Sequence, residues 1–188
     1  MSTSTLSPEL TGRYQFDTAH SRLGFVARHA MVTKVHGAFN EWEGAAYLDA
    51  DDPSKSHAEV TIQVASVDTR NEQRDGHLRT NDFFDAPTFP VITFASTAVE
   101  QVGATEFQVT GDLTIKDVTR EVTIDFEYTG SAKDAFGAER VGFEGRTVVK
   151  RKDFGINFNA LLETGGVMVS EKITLEFDIS AVKVTPAA

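Results

Sequence analysis

The feature that most limits what this chain can become is an alternation with period two, repeated along most of its length. Val60, Ile62 and Val64 alternate with Glu59, Thr61 and Gln63. Phe107, Val109, Gly111, Leu113 and Ile115 alternate with Gln108, Thr110, Asp112 and Thr114. Val122, Ile124, Phe126 and Tyr128 oppose Glu121, Thr123, Asp125 and Glu127. Val141, Phe143, Gly145, Thr147 and Val149 form a further stripe, and Ile173, Leu175, Phe177 and Ile179 the last. Successive side chains of a strand point to opposite faces, so each stretch reads as a strand with one apolar and one wet side. With residues 22–30, 35–48 and 91–99 the count is about eight strands.

The connections "VEQVGATEF" and "YTGSAKDAFGAERVGF" are short, polar and glycine-bearing, as hairpins require. No strand–helix–strand spacing recurs, which argues against a parallel sheet. The predicted fold is all-β, an antiparallel barrel of eight strands, because closure removes the exposed edges of such a sheet. Eight strands enclose either a packed core or one small ligand. Ala27, Gly37, Gly111 and Gly145 on the inner stripes leave room or mark bends. The 14 phenylalanines, against one Trp and three Tyr, favour a lining without hydrogen-bonding groups, suited to a hydrocarbon guest.

One segment breaks the rhythm. "VDTRNEQRDGHLRTNDFFDAPTFP" predicts a helix at residues 69–80, with Thr69 and Glu72 as a capping box and Asp68 reinforcing the start. Arg70, Arg74, His77 and Asn81 then share a face. Phe83 and Phe84 follow directly and need apolar surface to cover, which the mouth of a barrel offers. Arg74 and His77, with Arg70 and Arg79, either receive an anionic or polar head group or form a salt-bridge network with Asp75, Asp82 and Asp85. Arg151, Lys152 and Asp153 pose the same choice.

At 188 residues the chain suits one domain, spanning 12–183, with a poorly ordered segment at 1–11 and a tail at 184–188. Eighteen Lys and Arg against 28 Asp and Glu give a net charge of −10, which disfavours nucleic acid and anionic membranes as general partners but leaves room for a local basic patch. There is no apolar run near the ~20 residues of a membrane-inserted helix. Zero cysteine excludes disulfides, thiolate nucleophiles and Cys-ligated metal. "MSTSTLSPELTG" has neither a basic nor an apolar signal region, so the expectation is a cytoplasmic protein.

His20 and His29 stand nine residues apart, an odd number, and so face opposite ways in one strand. His29 shares its parity with Leu23, Phe25 and Ala27 and ends an apolar stripe, either as a hydrogen-bonded barrel-end residue or as a head-group contact. His36 and His57 read as exposed. No HxH or HExxH spacing supports a metal, and neither metal nor cofactor is expected. Asp17, His20 and Ser21 name the parts of a triad, but an Asx or Ser turn explains "DTAHS" and no GxSxG pattern exists. An enzyme is not expected.

The segments "DTAHSRLGFVARHAMVTKVHGAFNEWEG", "VDTRNEQRDGHLRTNDFFDAPTFPVITF", "FQVTGDLTIKDVTREVTI" and "RKDFGINFN" resemble the YceI-like family in order and spacing, over roughly residues 12–183. That resemblance implies an extended lipocalin-like barrel that binds a polyisoprenoid or other lipid, often as a homodimer. On it, an elongated apolar ligand lies against Phe25, Phe39, Phe107, Phe126, Phe143 and Phe177. Phe83 and Phe84 close one mouth, and Arg74 and His77 sit where a polar end emerges. The chain departs from the family where relatives read "GVTKPV": here stand Asp117, Val118, Thr119, Arg120, Glu121 and Val122. Losing that proline alters a turn or strand start and leaves the proposed pocket untouched. The remaining alternative is a structural or partner-binding barrel with a filled interior.

Overall fold

The computed structural model describes residues 6–160, 162 and 168–185. They form one antiparallel sheet of eleven strands and a single α-helix. In chain order the strands are β1 (Gly12–Phe16), β2 (Arg22–His29), β3 (Thr33–Phe39), β4 (Trp42–Leu48), β5 (His57–Gln63) and β6 (Val67–Asp68). Helix α1 (Glu72–Leu78) follows, then β7 (Val91–Gln101), β8 (Glu106–Ile115), β9 (Val118–Lys133), β10 (Glu139–Lys150) and β11 (Lys172–Lys183).

The register reduces eleven segments to eight strands. Both β1 and β2 lie along β11, with Tyr14 opposite Lys183 and Leu23 opposite Phe177. They are two halves of one strand, interrupted at residues 17–21. In the same way β4 pairs with β1 and β3 with β2, so β3 and β4 are one strand broken at residues 40–41. β5 pairs with β4 and β6 with β3, with the turn Val64–Ser66 between them. Counted this way, each strand neighbours the next in sequence and the first closes on the last. The result is the expected closed, antiparallel, eight-stranded barrel.

The break at residues 17–21 is stitched rather than loose. The Asp17 carboxylate accepts from the Ala19 amide at 3.1 Å, and Ser21 Oγ both donates to the Ser180 carbonyl and accepts from its amide. Ser21 is thus held by backbone of β11, and Asp17 makes the turn that "DTAHS" predicts. At the family departure, Lys116 and Asp117 both take positive φ, the geometry of a tight hairpin turn. Glu121 then continues the ladder opposite Asp112, where a proline would have removed a donor.

Helix α1 is shorter than the predicted 69–80. Arg70 has φ of 63°, a left-handed turn that follows the end of β6, so helical backbone begins only afterwards. Asn71, not Thr69, is the N-cap, its side chain accepting from the Arg74 amide at 2.9 Å. Thr69 is buried instead, and both its amide and its hydroxyl donate to the Asp75 carboxylate. Arg70 therefore does not share a helical face with Arg74 and His77.

The barrel has two different ends. At the upper end lie α1 with residues 79–90, the turn Arg151–Phe154 and the β2–β3 hairpin. At the lower end the chain before β1 folds underneath. Expected to be loose, Leu6 and Leu10 are each only 4% exposed and pack with Tyr14, Ala50, Phe107 and Val141. The Tyr14 hydroxyl donates to the Leu10 carbonyl at 2.8 Å, and burial pushes its pKa up to about 12. Apolar surface at the barrel floor needed a cover, and full burial of a leucine is worth about 1.5–3 kcal/mol. Residues 1–5 and 186–188, parts of the predicted tails, lie outside the described residues.

Candidate functional site

A cavity of about 310 Å³ runs through the barrel between the two ends, within the size range of small-molecule sites. Its wall is built by the inward parity of the stripes: Phe25 from β2, Phe39 from β3, Phe107 from β8, Phe126 from β9, Phe143 from β10 and Phe177 from β11. The rings form two groups in edge-on or tilted contact. Phe39 lies 5.7 Å from both Phe25 and Phe84 in the upper half, and Phe126 lies 6.0 Å from Phe177 lower down. Ile62, Phe94, Leu113, Ile124 and Leu175 fill the wall between them. Polar side chains in the lining are few: Tyr14, Tyr47, Ser56, His57 and Arg151. A space of this composition attracts apolar atoms and offers water few partners.

The inner glycines seat the rings. A Cβ on Gly37 would run into the Phe25 ring, one on Gly145 into the Phe126 ring, and one on Gly111 into Phe94. Each ring occupies the space a side chain would take on the neighbouring strand, so these glycines set how much of the interior stays open.

Upstream of β7, the double phenylalanine reaches the cavity. Phe84 packs edge-on to Phe39, and Phe83 is buried between His77 and Phe158, about equally close to each at 5.1 Å. Both line the cavity. The polar candidates lie elsewhere. Arg74 Nε and Nη2 donate to the hydroxyl and carbonyl of Thr69, both at 2.7 Å. Arg79 donates to the carbonyls of Ala65 and Val67. His77 meets Asp82 at 2.7 Å, its ring against Phe83 and Phe158. These side chains tie α1 to the rim, mostly through backbone carbonyls. His29 is exposed at the end of β2, opposite Thr33 and bridged to Val169, and does not line the cavity.

The polar residue that the periodicity did not single out is Arg151. It is 5% exposed, and its guanidinium donates to the carbonyls of Ser170, Ile156, Phe158 and Val169. Burial lowers its pKa, offset in part by the charge of Glu171. One arginine thereby gathers both arms of the segment between β10 and β11 over the upper wall. Its signal was the "RKDFG" block, whose arginine ends a strand and turns inward. Among the described residues no group of three or more His, Asp or Glu converges as a metal site, and no helix is long and apolar enough to cross a membrane.

Comparison with known proteins points one way. A family model described as a YceI-like domain matches residues 14–181. A UPF0312 protein of Staphylococcus aureus is 42% identical over 164 residues, 87% of this chain and 93% of that one. Among solved structures, BcnA of Burkholderia cenocepacia superposes with a TM-score of 0.78 at 27% identity, covering 88% of this chain and 98% of the other. A polyisoprenoid binding domain from Saccharophagus degradans superposes with a TM-score of 0.68 at 17% identity, covering 91% and 98%, and shares the fold.

Proposed function

Because the chain belongs to the YceI-like family, we propose that its barrel binds, stores or transports one elongated apolar ligand. The ligand class is a polyisoprenoid, a quinone-like lipid or a fatty-acid-like lipid. The observation that carries this reading is the cavity itself, about 310 Å³ walled by phenylalanine and aliphatic side chains from every long strand. The polyisoprenoid-binding domain from S. degradans shares the architecture, and the apolar wall suits a ligand of this class. The ten residues of β8 alone extend roughly 33 Å, so the lumen suits a chain rather than a disc. Phe84 would close over the tail at the upper mouth.

Binding is favoured over catalysis by what the candidate triad does. Ser21 Oγ is occupied on both sides by Ser180 backbone, and Asp17 is held by Arg140 and His20. Burying each methylene is worth about 0.8 kcal/mol, so affinity should rise with tail length until the lumen is full. Organic extraction of the purified protein, with mass identification, tests the reading directly. A co-purifying or titratable lipid supports it; an empty extract with no affinity for any tail length leaves a barrel with a structural role.

A further inference from the structure

The outer face of the upper end carries a pattern that the net charge conceals. Lys150 on β10 stands directly opposite Lys172 on β11, and Arg28 on β2 stands directly opposite Lys34 on β3. Like charges facing each other across a ladder, about 4.5–5.5 Å apart at the Cα atoms, are unfavourable for the sheet alone. The two pairs are neighbours. β2 and β11 pair at the Thr174–Val26 rung and again through the Ser170–Arg28 hydrogen bonds, and Lys172 lies between these two levels, next to Arg28 on the adjacent strand. Alternation with Val149, Ile173, Ala27 and Val35 turns all four cations outward. All four are exposed, and none has a carboxylate partner among the described residues.

Above this row the β2–β3 hairpin ends in two bare apolar side chains, Met31 at 56% and Val32 at 75% exposure. Ala30 and Met31 take positive φ, which makes the turn tight and fixes the tip. Val148 is exposed on the same outer face just below Lys150. Positions 18 to 40 contain no Asp or Glu, although the chain has 28 of them. The nearby acids do not cancel the row: Glu176 is 4.0 Å from Arg22, and Glu171 bears on the Arg151 guanidinium. Edge protection explains a lysine on β3, whose upper part has no outer neighbour. It does not explain Lys172, whose strand is flanked there by β10 on one side and by β2, through the Ser170–Arg28 hydrogen bonds, on the other.

We propose that this face docks on an anionic lipid surface, with Met31 and Val32 entering the head-group boundary and Lys150, Lys172, Arg28 and Lys34 meeting the phosphates. The layering of apolar tip over cation row matches the layering of a bilayer interface. Screening confines electrostatic reach to about 8 Å at physiological salt, so the local row outweighs distant acids. An acidic protein would use the cations but has no need of a bare Met–Val tip. The position serves loading as well: His29 bridges Val169, which lines the cavity, so the tip stands beside the upper mouth. That use rests on the lipid-binding reading; the docking does not.

The test is cosedimentation of the full chain with phosphatidylcholine vesicles, with and without 30 mol% phosphatidylglycerol, at two salt concentrations. Binding is expected only to the anionic vesicles and to weaken with salt. Each of Lys34→Gln, Lys150→Gln and Lys172→Gln should weaken it about fivefold, and Met31→Ser with Val32→Ser should weaken it without changing the salt response. Lys55→Gln and Lys133→Gln, at the lower end, should bind as the parent does. Unchanged thermal melting shows that each variant is folded. Equal binding to neutral and anionic vesicles, no binding to either, or row variants indistinguishable from the parent would each overturn the proposal. So would salt-sensitive capture of polyglutamate or DNA without vesicle binding. Lipid extraction reads the cavity independently, so the two readings fail separately.

Discussion

Asp17 and Arg140 meet at 2.6 Å although 123 positions separate them, joining the break in the first barrel strand to the start of β10. The same Asp17 oxygen takes His20 at 2.7 Å, and Arg140 also holds Asp134 at 2.9 Å. Hydrogen bonds from Arg140 and then His20 lower the Asp17 pKa to about 2. A carboxylate whose pKa is depressed on folding stabilises the fold above its unfolded value, near 3.9, and loses that contribution as pH falls. Asp17→Asn should therefore destabilise the protein at pH 7 by about 1 kcal/mol, as expected for a part-buried pair. The difference should shrink between about pH 4 and pH 2, read by urea midpoints at each pH. A gap that persists unchanged at pH 2 would mean the ion pair is not its source.

Phe84→Ala removes the ring that meets Phe39 at the upper mouth. An aromatic contact of this kind is worth about 0.5–1.5 kcal/mol beyond area, so bound lipid should leave about threefold to tenfold faster from a folded barrel. Stopped-flow displacement of a fluorescent fatty acid measures this. Dissociation at the parent rate would make residues 79–90 a plain crossover.

Deleting residues 1–10 removes Leu6 and Leu10 from the lower floor. Loss of two buried leucines should cost about 2–5 kcal/mol each at most, less where the chain end relaxes. The truncated barrel should unfold at lower urea and exchange lipid faster. An unchanged midpoint would show that the floor holds without them.

Gly37→Ala places a methyl where the Phe25 ring lies. The ring must swing inward, at about 1–3 kcal/mol of overpacking, and shortens the lumen. The expected outcome is a lower limit on the tail length that still gains affinity, seen in a lipid series. A length profile identical to the parent's would place Phe25 outside the bound chain's path.

Arg151→Lys should rescue Arg151→Met only in part. Four carbonyls converge on one planar guanidinium, and an ammonium has only three donors on a single nitrogen. Each buried acceptor left unpaired costs about 1–3 kcal/mol, and the Val169 carbonyl keeps Asn159 as a donor, so Arg151→Met should lose about 3 kcal/mol or more and Arg151→Lys about 1–3 kcal/mol. Full stability in Arg151→Lys would show that charge alone suffices.

The wall was legible in the sequence because it is a strand property. Phe107, Phe126, Phe143 and Phe177 each sit on a stripe of period two, and parity alone turns them inward. The helix boundary was not, because Thr69 looks like a cap by spacing, while its burial against Asp75 is a tertiary contact. Nor was the role of Leu6 and Leu10, which follow "MSTST" in a stretch without periodicity and are ordered only by the floor they cover. Arg74 and His77 were placed on the right segment, but hydrogen-bond partners such as the Thr69 carbonyl are set by the path of the backbone.

Closure has a consequence in time. The rungs that seal the barrel pair Tyr14, Gln15 and Phe16 with Lys183, Val182 and Ala181. Made from one end, the chain carries its first strand as an open seam until those last partners have left the ribosome. A sheet that closes through such distant residues folds slowly and exposes its greasy interior meanwhile. A lumen can hold cargo only once it exists, so the proposed lipid would have to enter after synthesis, through a mouth, rather than be wrapped into the nascent chain.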